Sequence, residues 1–219
     1  MARHSTAALS RLLQRSPTKL ISWLLLALAV CSSAVADVLL TEGTNISVDV
    51  RFDANGDSHA VIDLLGDIWV LPADGGEARK IEGGLRPAKR PHWSPDGNAL
   101  VYQASRADND ELWLHRFDDD SSRRLGAASS FDQQPSWHPD GERVVFSSAR
   151  KDSGFDIWEI DVATQLVWRL THLPGDETEP AWSSSGRDLL YVYEHRGQWS
   201  LMLRRRGEIA RALATSKRR

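Results

Sequence analysis

The feature that most constrains this chain is an internal repeat with a period of about 44 residues. Three eight-residue segments share a proline at the second position, a tryptophan at the fourth and a glycine at the eighth: 90–97 (RPHWSPDG), 134–141 (QPSWHPDG) and 179–186 (EPAWSSSG). Their tryptophans lie 44 and 45 residues apart. Self-similarity at such a period is typical of solenoids and propellers, in which each unit buries its apolar surface against its neighbours.

Two further series keep the same period. One consists of tryptophans with spacings of 44, 45 and 41 residues: Trp69, Trp113, Trp158 and Trp199. The other consists of short basic or apolar segments: Arg79-Lys80-Ile81, Arg123-Arg124-Leu125, Trp168-Arg169-Leu170 and Arg211-Ala212-Leu213. Three registers at one period predict four repeats, near 44–86, 87–129, 130–174 and 175–214.

Each repeat reads as a series of short strands separated by Gly, Pro, Asp and Ser, the residues that turns require. The clearest strands have alternating or continuously apolar sequences: Ala60–Leu65, Asp67–Leu71, Ala99–Gln103, Glu111–His115, Arg143–Ser147, Asp156–Ile160, Asp188–Tyr193 and Trp199–Leu203. Four strands in about 44 residues make one propeller blade. The fold class predicted is therefore all-β, a β-propeller of four-stranded blades with about four blades present.

The repeated tryptophans are expected to be packing residues. Trp93, Trp137 and Trp182 each precede a turn, and a large ring at that place can fill the wedge between neighbouring blades. Truncating Trp137 to alanine should cost roughly 3–5 kcal/mol, and truncating Trp199 in the last repeat should cost less.

The Pro-x-Trp-Ser-Pro-Asp-Gly segments resemble the TolB-type propeller repeat of bacterial periplasmic proteins, a relative of the WD repeat. The segment 63–79 (DLLGDIWVLPADGGEAR) is in addition similar to the first propeller blade of exported amidohydrolase-type and tricorn-protease-like proteins. The first repeat departs from the pattern, with 51–56 (RFDANG) in place of the tryptophan turn, and Ser183–Gly186 lacks Pro-Asp. The resemblance implies a propeller that presents loops and a central mouth to a partner.

The N-terminus has the pattern of a secretory signal peptide, residues 1–36. A basic stretch ending at Lys19 precedes the apolar run Leu20–Val30, and Ala34-Val35-Ala36 is a typical cleavage site. Cleavage after Ala36 predicts a periplasmic product that begins at Asp37 and has no membrane span. Two alternatives stay open: an uncleaved anchor over Leu20–Ala36, and lipid attachment at Cys31, the only cysteine.

Charge is distributed unevenly along the chain. Residues 37–203 hold 29 acidic and 16 basic side chains, whereas the segment 204–219 holds seven basic and one acidic. An acidic body would repel phosphate, so nucleic acid is excluded as the main partner. The basic C-terminal tail 204–219 is either a solvated chain end or a contact to an anionic surface.

No catalytic, cofactor-binding or metal-binding residues are predicted, and no cofactor. The sequence contains no P-loop, dinucleotide-binding glycine motif, Gly-x-Ser-x-Gly or His-Glu-x-x-His. The histidines are scattered one at a time, without an acidic or histidine partner at ligand spacing: 4, 59, 92, 115, 138, 172 and 195. Asp118–Asp120 reads as a solvated hairpin turn, with a calcium site as the alternative. Asp132 and Asp176 are expected to bond backbone amides at the blade entrance.

Three functions remain open at this stage. The first is a periplasmic TolB-like scaffold that binds a protein partner or an envelope ligand, without catalysis. The second is the N-terminal propeller of an exported amidohydrolase or peptidase whose catalytic domain is absent, and the third is a small catalytic propeller. We expect four repeats to form part of a larger propeller whose outer blade faces stay open, so the chain should also self-associate.

Export can be tested directly. N-terminal sequencing of the exported chain should begin at Asp37, because the basic, apolar and small-residue segments occur in the order that signal peptidase requires. An intact Met1 in the membrane fraction would contradict this prediction.

Overall fold

The computed structural model describes residues 46–53, 55–106, 109–126, 131–151 and 154–217. The predicted signal peptide and its cleavage site lie outside these residues. Within them the chain is built of strands and turns, and no helix there is long and apolar enough to cross a membrane.

Sixteen strands of the described ranges form four antiparallel sheets, each made of four consecutive strands in chain order. Blade 1 contains β1 (Val48–Phe52), β2 (Ser58–Leu64), β3 (Asp67–Pro72) and β4 (Arg79–Lys80), and blade 2 contains β5 (Ala88–Trp93), β6 (Ala99–Arg106), β7 (Asn109–Arg116) and β8 (Ser121–Leu125). Blade 3 contains β9 (Asp132–Trp137), β10 (Arg143–Ser148), β11 (Asp156–Asp161) and β12 (Val167–Arg169), and blade 4 contains β13 (Asp176–Trp182), β14 (Asp188–His195), β15 (Gln198–Arg205) and β16 (Arg211–Lys217). The predicted all-β propeller of four-stranded blades is confirmed.

All eight predicted strands are present, with bounds that differ by a few residues. Leu65 was predicted to end a strand but lies in the turn after β2, with a φ of 53°. The tryptophan turns close as their sequences require: Gly97, Gly141 and Gly186 have φ of 72°, 75° and 66°, a region that glycine enters without steric cost.

The sheets stack face against face, and the core lies between them rather than within any one of them. The cluster between blades 1 and 2 contains Val61 and Ile68 from one sheet and Leu100 and Tyr102 from the other. Side chains alternate across a strand, so Val101, next to Leu100, turns away and packs on blade 3 instead. Every inner blade therefore buries both of its faces, which explains the nearly continuous apolar runs of β6 and β10.

We call the face that packs on the next blade along the chain the forward face, and the opposite one the rear face. The remaining two junctions repeat the same arrangement: Leu112 and Leu114 of blade 2 meet Val144 and Phe146 of blade 3, and Val145 and Ile157 of blade 3 meet Leu189 and Tyr191 of blade 4. Among the described residues, no core cluster joins blade 1 to blade 4.

The turn tryptophans fill the junctions as expected, but to different depths. Trp93 is buried against blade 1, whereas Trp137 and Trp182 are half-buried at the edges of their clusters. The indole Nε1 of Trp137 donates to the His92 carbonyl oxygen at 3.2 Å. The free-energy cost of removing Trp137 should therefore lie near the lower end of the expected range.

The second tryptophan series is broken in blade 4. In blade 3, Trp158 pairs with Phe146 on the rear face, and in blade 4 the equivalent partner of Tyr191 is Met202, not Trp199. The shorter spacing of 41 residues moves Trp199 to the forward face, where it is 41% exposed. The assignment of Trp199 to the repeat position is therefore wrong.

The basic segment at the C-terminal end also differs from expectation. Arg204 and Arg205 end β15, and 211–217 form β16, which pairs with β15 along its length. Because β16 completes the fourth sheet, most of the segment 204–219 is part of a blade.

Trp158 and Trp199 offer a paired test of the blade junctions. Trp158 is 6% exposed inside the cluster between blades 2 and 3, so Trp158→Ala should lower the free energy of unfolding by roughly 3–5 kcal/mol. Trp199→Ala should cost well below that range, because much of its ring is already in water. Urea titrations measure both losses of unfolding free energy, provided that the slope m of each variant equals that of the wild type. Equal losses for the two variants would contradict the assignment of Trp158 to a blade junction and of Trp199 to an open face.

Candidate functional site

The first strand of each sheet is the innermost one. Contacts between sheets run from β1 to β5, from β5 to β9 and from β9 to β13, whereas the fourth strands lie on the outside. In three blades the pairing of this inner strand with its neighbour shifts register at an X-Pro pair: Arg90-Pro91, Gln134-Pro135 and Glu179-Pro180. Proline has no N–H to donate, so a bulge at this point loses no ladder hydrogen bond.

The residue before each of these prolines has a left-handed backbone. The φ angles are 54° at Arg90, 57° at Gln134 and 53° at Glu179. For residues other than glycine this conformation is uncommon and costs about 1–3 kcal/mol. The left-handed conformation recurs at the same repeat position in three blades, so it is a regular element of this fold. At each position a polar side chain extends from the inner strand.

Side-chain oxygen atoms of the neighbouring blade hold these strained amides. Asp63 Oδ2 accepts from the Arg90 amide at 2.7 Å, and Gln103 Oε1 accepts from the Gln134 amide at 3.2 Å. The equivalent residue of blade 3 is Ser147, which is too short to reach Glu179. Gln134 Oε1 replaces it and accepts from both the Glu179 amide at 3.0 Å and the Ser147 hydroxyl at 2.8 Å.

The three projected side chains meet one another. Arg90 Nη1 lies 2.7 Å from Glu179 Oε2, and Gln134 Nε2 donates to Glu179 Oε1 at 2.9 Å. The ion pair joins blade 2 to blade 4 across the inner edge of blade 3. We call Arg90, Gln134 and Glu179 the axial polar site.

The axial polar site is open to solvent. The Arg90 and Glu179 side chains are 41% and 45% exposed, and an ion pair so exposed contributes little to folding. Together with Ser47, His92 and Gln133 these residues line one open cavity. The cavity therefore offers a guanidinium, amides and a carboxylate to a polar ligand, on a backbone held in place by hydrogen bonds to side-chain oxygen atoms of the preceding blade.

An acid and a histidine lie at the edge of this cavity. Asp49 Oδ2 accepts from the Trp93 amide at 2.9 Å and lies 3.6 Å from His92 Nδ1. Burial opposes ionisation of Asp49, but the hydrogen bonds from His92 and Trp93 outweigh it and hold the pKa of this carboxyl below its ordinary value. Asp49 is therefore an anion at neutral pH.

In the sequence the histidines have no acidic or histidine partner at ligand spacing, but the fold places an aspartate beside five of them. The fold brings each to within 2.9–3.9 Å of an aspartate: His59 to Asp53, His92 to Asp49, His115 to Asp120, His138 to Asp140 and His172 to Asp156. These are single pairs: in the part of the chain that the structure covers, no three His, Cys, Asp or Glu side chains are grouped to hold a metal ion.

The acidic turn Asp118–Asp120 has protein partners for its carboxylates. Asp118 binds the guanidinium of Arg116, Asp119 accepts from Ser121, and Asp120 lies 3.2 Å from Arg79 Nη1 of blade 1. The turn thus takes part in a blade junction.

Asp132 and Asp176 lie at the start of their inner strands. Asp176 accepts from the amide of Phe155, as expected. Asp132 is buried and binds the guanidinium of Arg150 through both of its oxygen atoms.

A buried carboxyl group lies between blades 3 and 4. Glu177 is fully buried, its Oε2 accepts from the Leu173 amide at 3.3 Å, and it faces Asp156, Thr171 and Tyr191. Burial, together with the neighbouring carboxyl group of Asp156, raises the pKa of Glu177 to about 7, against the effect of the Thr171 and Leu173 hydrogen bonds.

Sequence reasoning did not find the axial polar site. Its signal is the polar residue before each repeated proline, Arg90, Gln134 and Glu179, which the segments display openly. Because the position before the proline holds a different residue type in each repeat, the sequence comparison identified the turn motif but did not mark this position as a shared functional one.

Comparison with known proteins agrees with this geometry. The family model described as TolB beta propeller domain matches residues 41–217. No curated protein matches the sequence. The solved structures that are similar include a protein assigned as TolB from Agrobacterium tumefaciens (23% identity, TM-score 0.67, 77% of this chain and 65% of that chain) and TolB from Acinetobacter baumannii (18%, 0.59, 76% and 43%). The tricorn protease is also similar, at 12% identity and a TM-score of 0.57, over 80% of this chain and 18% of that chain.

These likenesses are at the level of the fold. The chain spans less than two thirds of the length of either TolB structure. The match to the tricorn protease covers a small part of a much longer protein.

Glu177 provides a pH-dependent test of the junction between blades 3 and 4. Its pKa rises from an ordinary 4.5 to about 7 on folding, so the unfolded chain releases this proton first and stability falls as pH rises from about 4.5 to 7. Glu177→Gln removes the titration, so its urea midpoint should change less than that of the wild type between pH 5 and pH 8. The exposed Glu208→Gln is the matched control and should follow the wild type; identical pH profiles for all three chains would contradict the burial argument.

Proposed function

The chain belongs to the TolB β-propeller family, and from this premise we propose that it is a periplasmic binding scaffold whose recognition site is the axial polar site. The observation that carries the proposal is the strained backbone of three non-glycine residues at one repeat position. Such strain persists only where the surrounding structure holds it, and it clusters at ligand-binding positions. The exposed Arg90–Glu179 ion pair contributes too little to the free energy of unfolding to offset the cost of the strained backbone.

The chemistry of the site favours a polypeptide ligand. Gln133 and Gln134 present amides that can pair with a peptide backbone, and Arg90 and Glu179 present one charge of each sign. A peptide segment with its own N–H, C=O and charged groups can replace the Arg90–Glu179 pair without leaving either charge unpaired. The proposed role needs no catalysis, and the acidic surface disfavours nucleic acid as the partner.

The periplasmic location follows in this proposal from the signal-peptide pattern of residues 1–36. In that compartment a propeller with an open axial cavity is available to envelope proteins.

A photo-crosslinking residue at Gln133 tests the proposal in living cells. The side chain of Gln133 lies at the cavity, so a bound partner should be trapped in a discrete adduct. The same crosslinker at Leu166, which is 66% exposed in the turn before β12, is the matched control and should give no such adduct.

Arg90→Ala combined with Glu179→Ala should abolish the adduct at Gln133. Both side chains are exposed, so circular dichroism should be unchanged. An adduct that forms equally in this variant, or equally at Leu166, would mean that the axial polar site does not recognise a partner.

The similarity to the tricorn protease supports a second candidate, the N-terminal propeller of an exported amidohydrolase or peptidase. The axial cavity would then admit a substrate to a separate catalytic domain. An in-frame continuation of the gene that encodes further repeats and a His-x-His segment would favour this candidate over the scaffold.

A further inference from the structure

A cavity of about 210 Å³ lies at the junction between blades 3 and 4. Glu159 and Trp168 of blade 3 form part of one wall, and Leu189 and Arg204 of blade 4 form part of the other. The cavity has room for several water molecules and is smaller than the pockets that hold drug-sized ligands. It shares no lining residue with the axial cavity, so any ligand that it binds is separate from the partner of the axial polar site.

The walls of this cavity carry charged side chains at positions that are apolar in the junction before it. The strand registers place Glu159 where blade 2 has Leu114, and Arg204 where blade 3 has Ile160. Leu114 and Ile160 are both buried in the cluster between blades 2 and 3. At the junction between blades 3 and 4, two charged residues therefore take the place of an apolar contact between facing sheets. Charges at a packed junction oppose folding unless other groups neutralise them.

The Glu159 side chain has one oxygen atom without a partner. The residue is 1% exposed, and its Oε2 accepts from Arg143 Nη1 at 3.0 Å, whereas Oε1 has no hydrogen-bond partner among the described residues. Burial raises the pKa of the Glu159 carboxyl, against the effect of Arg143. A second cation beside Oε1 would favour the ionised form of this carboxyl. The wall from blade 3 is thus suited to a cationic hydrogen-bond donor.

The wall from blade 4 presents guanidinium groups that lack carboxylate partners. Arg204 Nη1 donates to the Leu170 carbonyl oxygen, and Arg204 makes no ion pair with a described carboxylate. The exposed Arg206, which also lines the cavity, makes none within the described ranges either. Arg205 differs from them, since it is paired with Asp188 at 3.0 Å. Guanidinium groups bind carboxylates through parallel hydrogen bonds, so this wall is suited to a carboxylate.

An apolar surface lies beside these charges. Trp168 pairs with Glu159 across β11 and β12, so both side chains extend from the forward face of blade 3. The Trp168 side chain is 37% exposed, and Leu170 lines the same cavity. Facing sheets pack about 10 Å apart, so one small molecule can contact both walls and this surface together.

We propose that the cavity binds a free α-amino acid with an apolar side chain. The ammonium group of the ligand donates to Glu159 Oε1, its carboxylate accepts from Arg204 and Arg206, and its side chain packs on Trp168. An amino acid supplies a charge of the required sign to each wall. A simple anion such as phosphate would satisfy the guanidinium groups alone and leave Glu159 Oε1 without a donor.

Isothermal titration calorimetry of the full chain, purified as the cell processes it, tests the proposal with leucine and two of its analogues. Isocaproate lacks the ammonium group of leucine, and isoamylamine lacks the carboxylate. Leucine should bind at one site per chain. Each analogue should bind about tenfold more weakly or worse, because each loses a charge-assisted hydrogen bond in a largely buried site. Absence of saturable leucine binding, or equal binding of leucine and isocaproate, would overturn the proposal.

Arg204→Gln locates the binding in this cavity. Glutamine keeps a donor for the Leu170 carbonyl oxygen but carries no charge, so leucine should bind about tenfold more weakly or worse. Arg196→Gln is the matched control. Arg196 is exposed in the turn between β14 and β15, at the opposite end of β15, and this variant should bind leucine like the wild type. Equal leucine affinities for Arg204→Gln and the wild type would refute the assignment.

Glu159→Gln separates recognition of the ammonium group from support of the fold. The variant should bind leucine and isocaproate with nearly equal affinity, because the anionic partner of the ammonium group is gone. Its affinity for isocaproate should match that of the wild type. A preference for leucine that persists in this variant, or an equal loss of affinity for both ligands, would contradict the proposed role of Glu159. The comparison of the three ligands on the wild type stays decisive if a variant does not fold.

Discussion

Each blade is stabilised by the packing of its sheet against the sheets of the neighbouring blades. Each inner blade buries a forward and a rear face, so its second strand has apolar side chains on both sides, as in β6 and β10. No blade has an internal core of its own: Leu100 and Val101 are adjacent in sequence and belong to different junctions. Because a blade is stabilised by its neighbours, a constant repeat period keeps the apolar residues of each sheet on the faces that contact those neighbours. The turn tryptophans fill the wedge-shaped space between adjacent sheets.

The same stacking explains why a recognition site can form at the inner edge. The first strands converge there, and those of blades 2, 3 and 4 each carry a bulge whose left-handed residue is held by a side-chain oxygen of the preceding blade. Asp63 and Gln103 perform this task for Arg90 and Gln134, and where Ser147 is too short, Gln134 performs it for Glu179. The packing between blades therefore stabilises the fold enough to maintain three strained residues, and their side chains remain accessible to a ligand.

Stacking also leaves two sheet faces without a partner sheet among the described residues. One apolar face of blade 1 and one of blade 4 are partly exposed there. The departures in blade 4 concern its forward face: the spacing of 41 residues puts Trp199 there, and Met202 takes the buried place behind it. An aromatic side chain therefore lies on a sheet face that has no partner sheet among the described residues.

The fold class, the repeats, eight of the strands and the packing role of the turn tryptophans could be predicted before the structure was known, because the period and the two-residue alternation are local properties of the chain. The sequence could not show that Trp199 lies on the forward face of blade 4 instead of the rear face. A spacing of 41 residues indicates a change of face only when the paired residues of the neighbouring strand are known. Nor could the sequence show that five histidines lie beside aspartates, or that Arg90 meets Glu179 across an intervening blade. Those contacts join residues far apart in the chain, and their distances depend on how the sheets stack around the axis. They could therefore be found only in the folded chain.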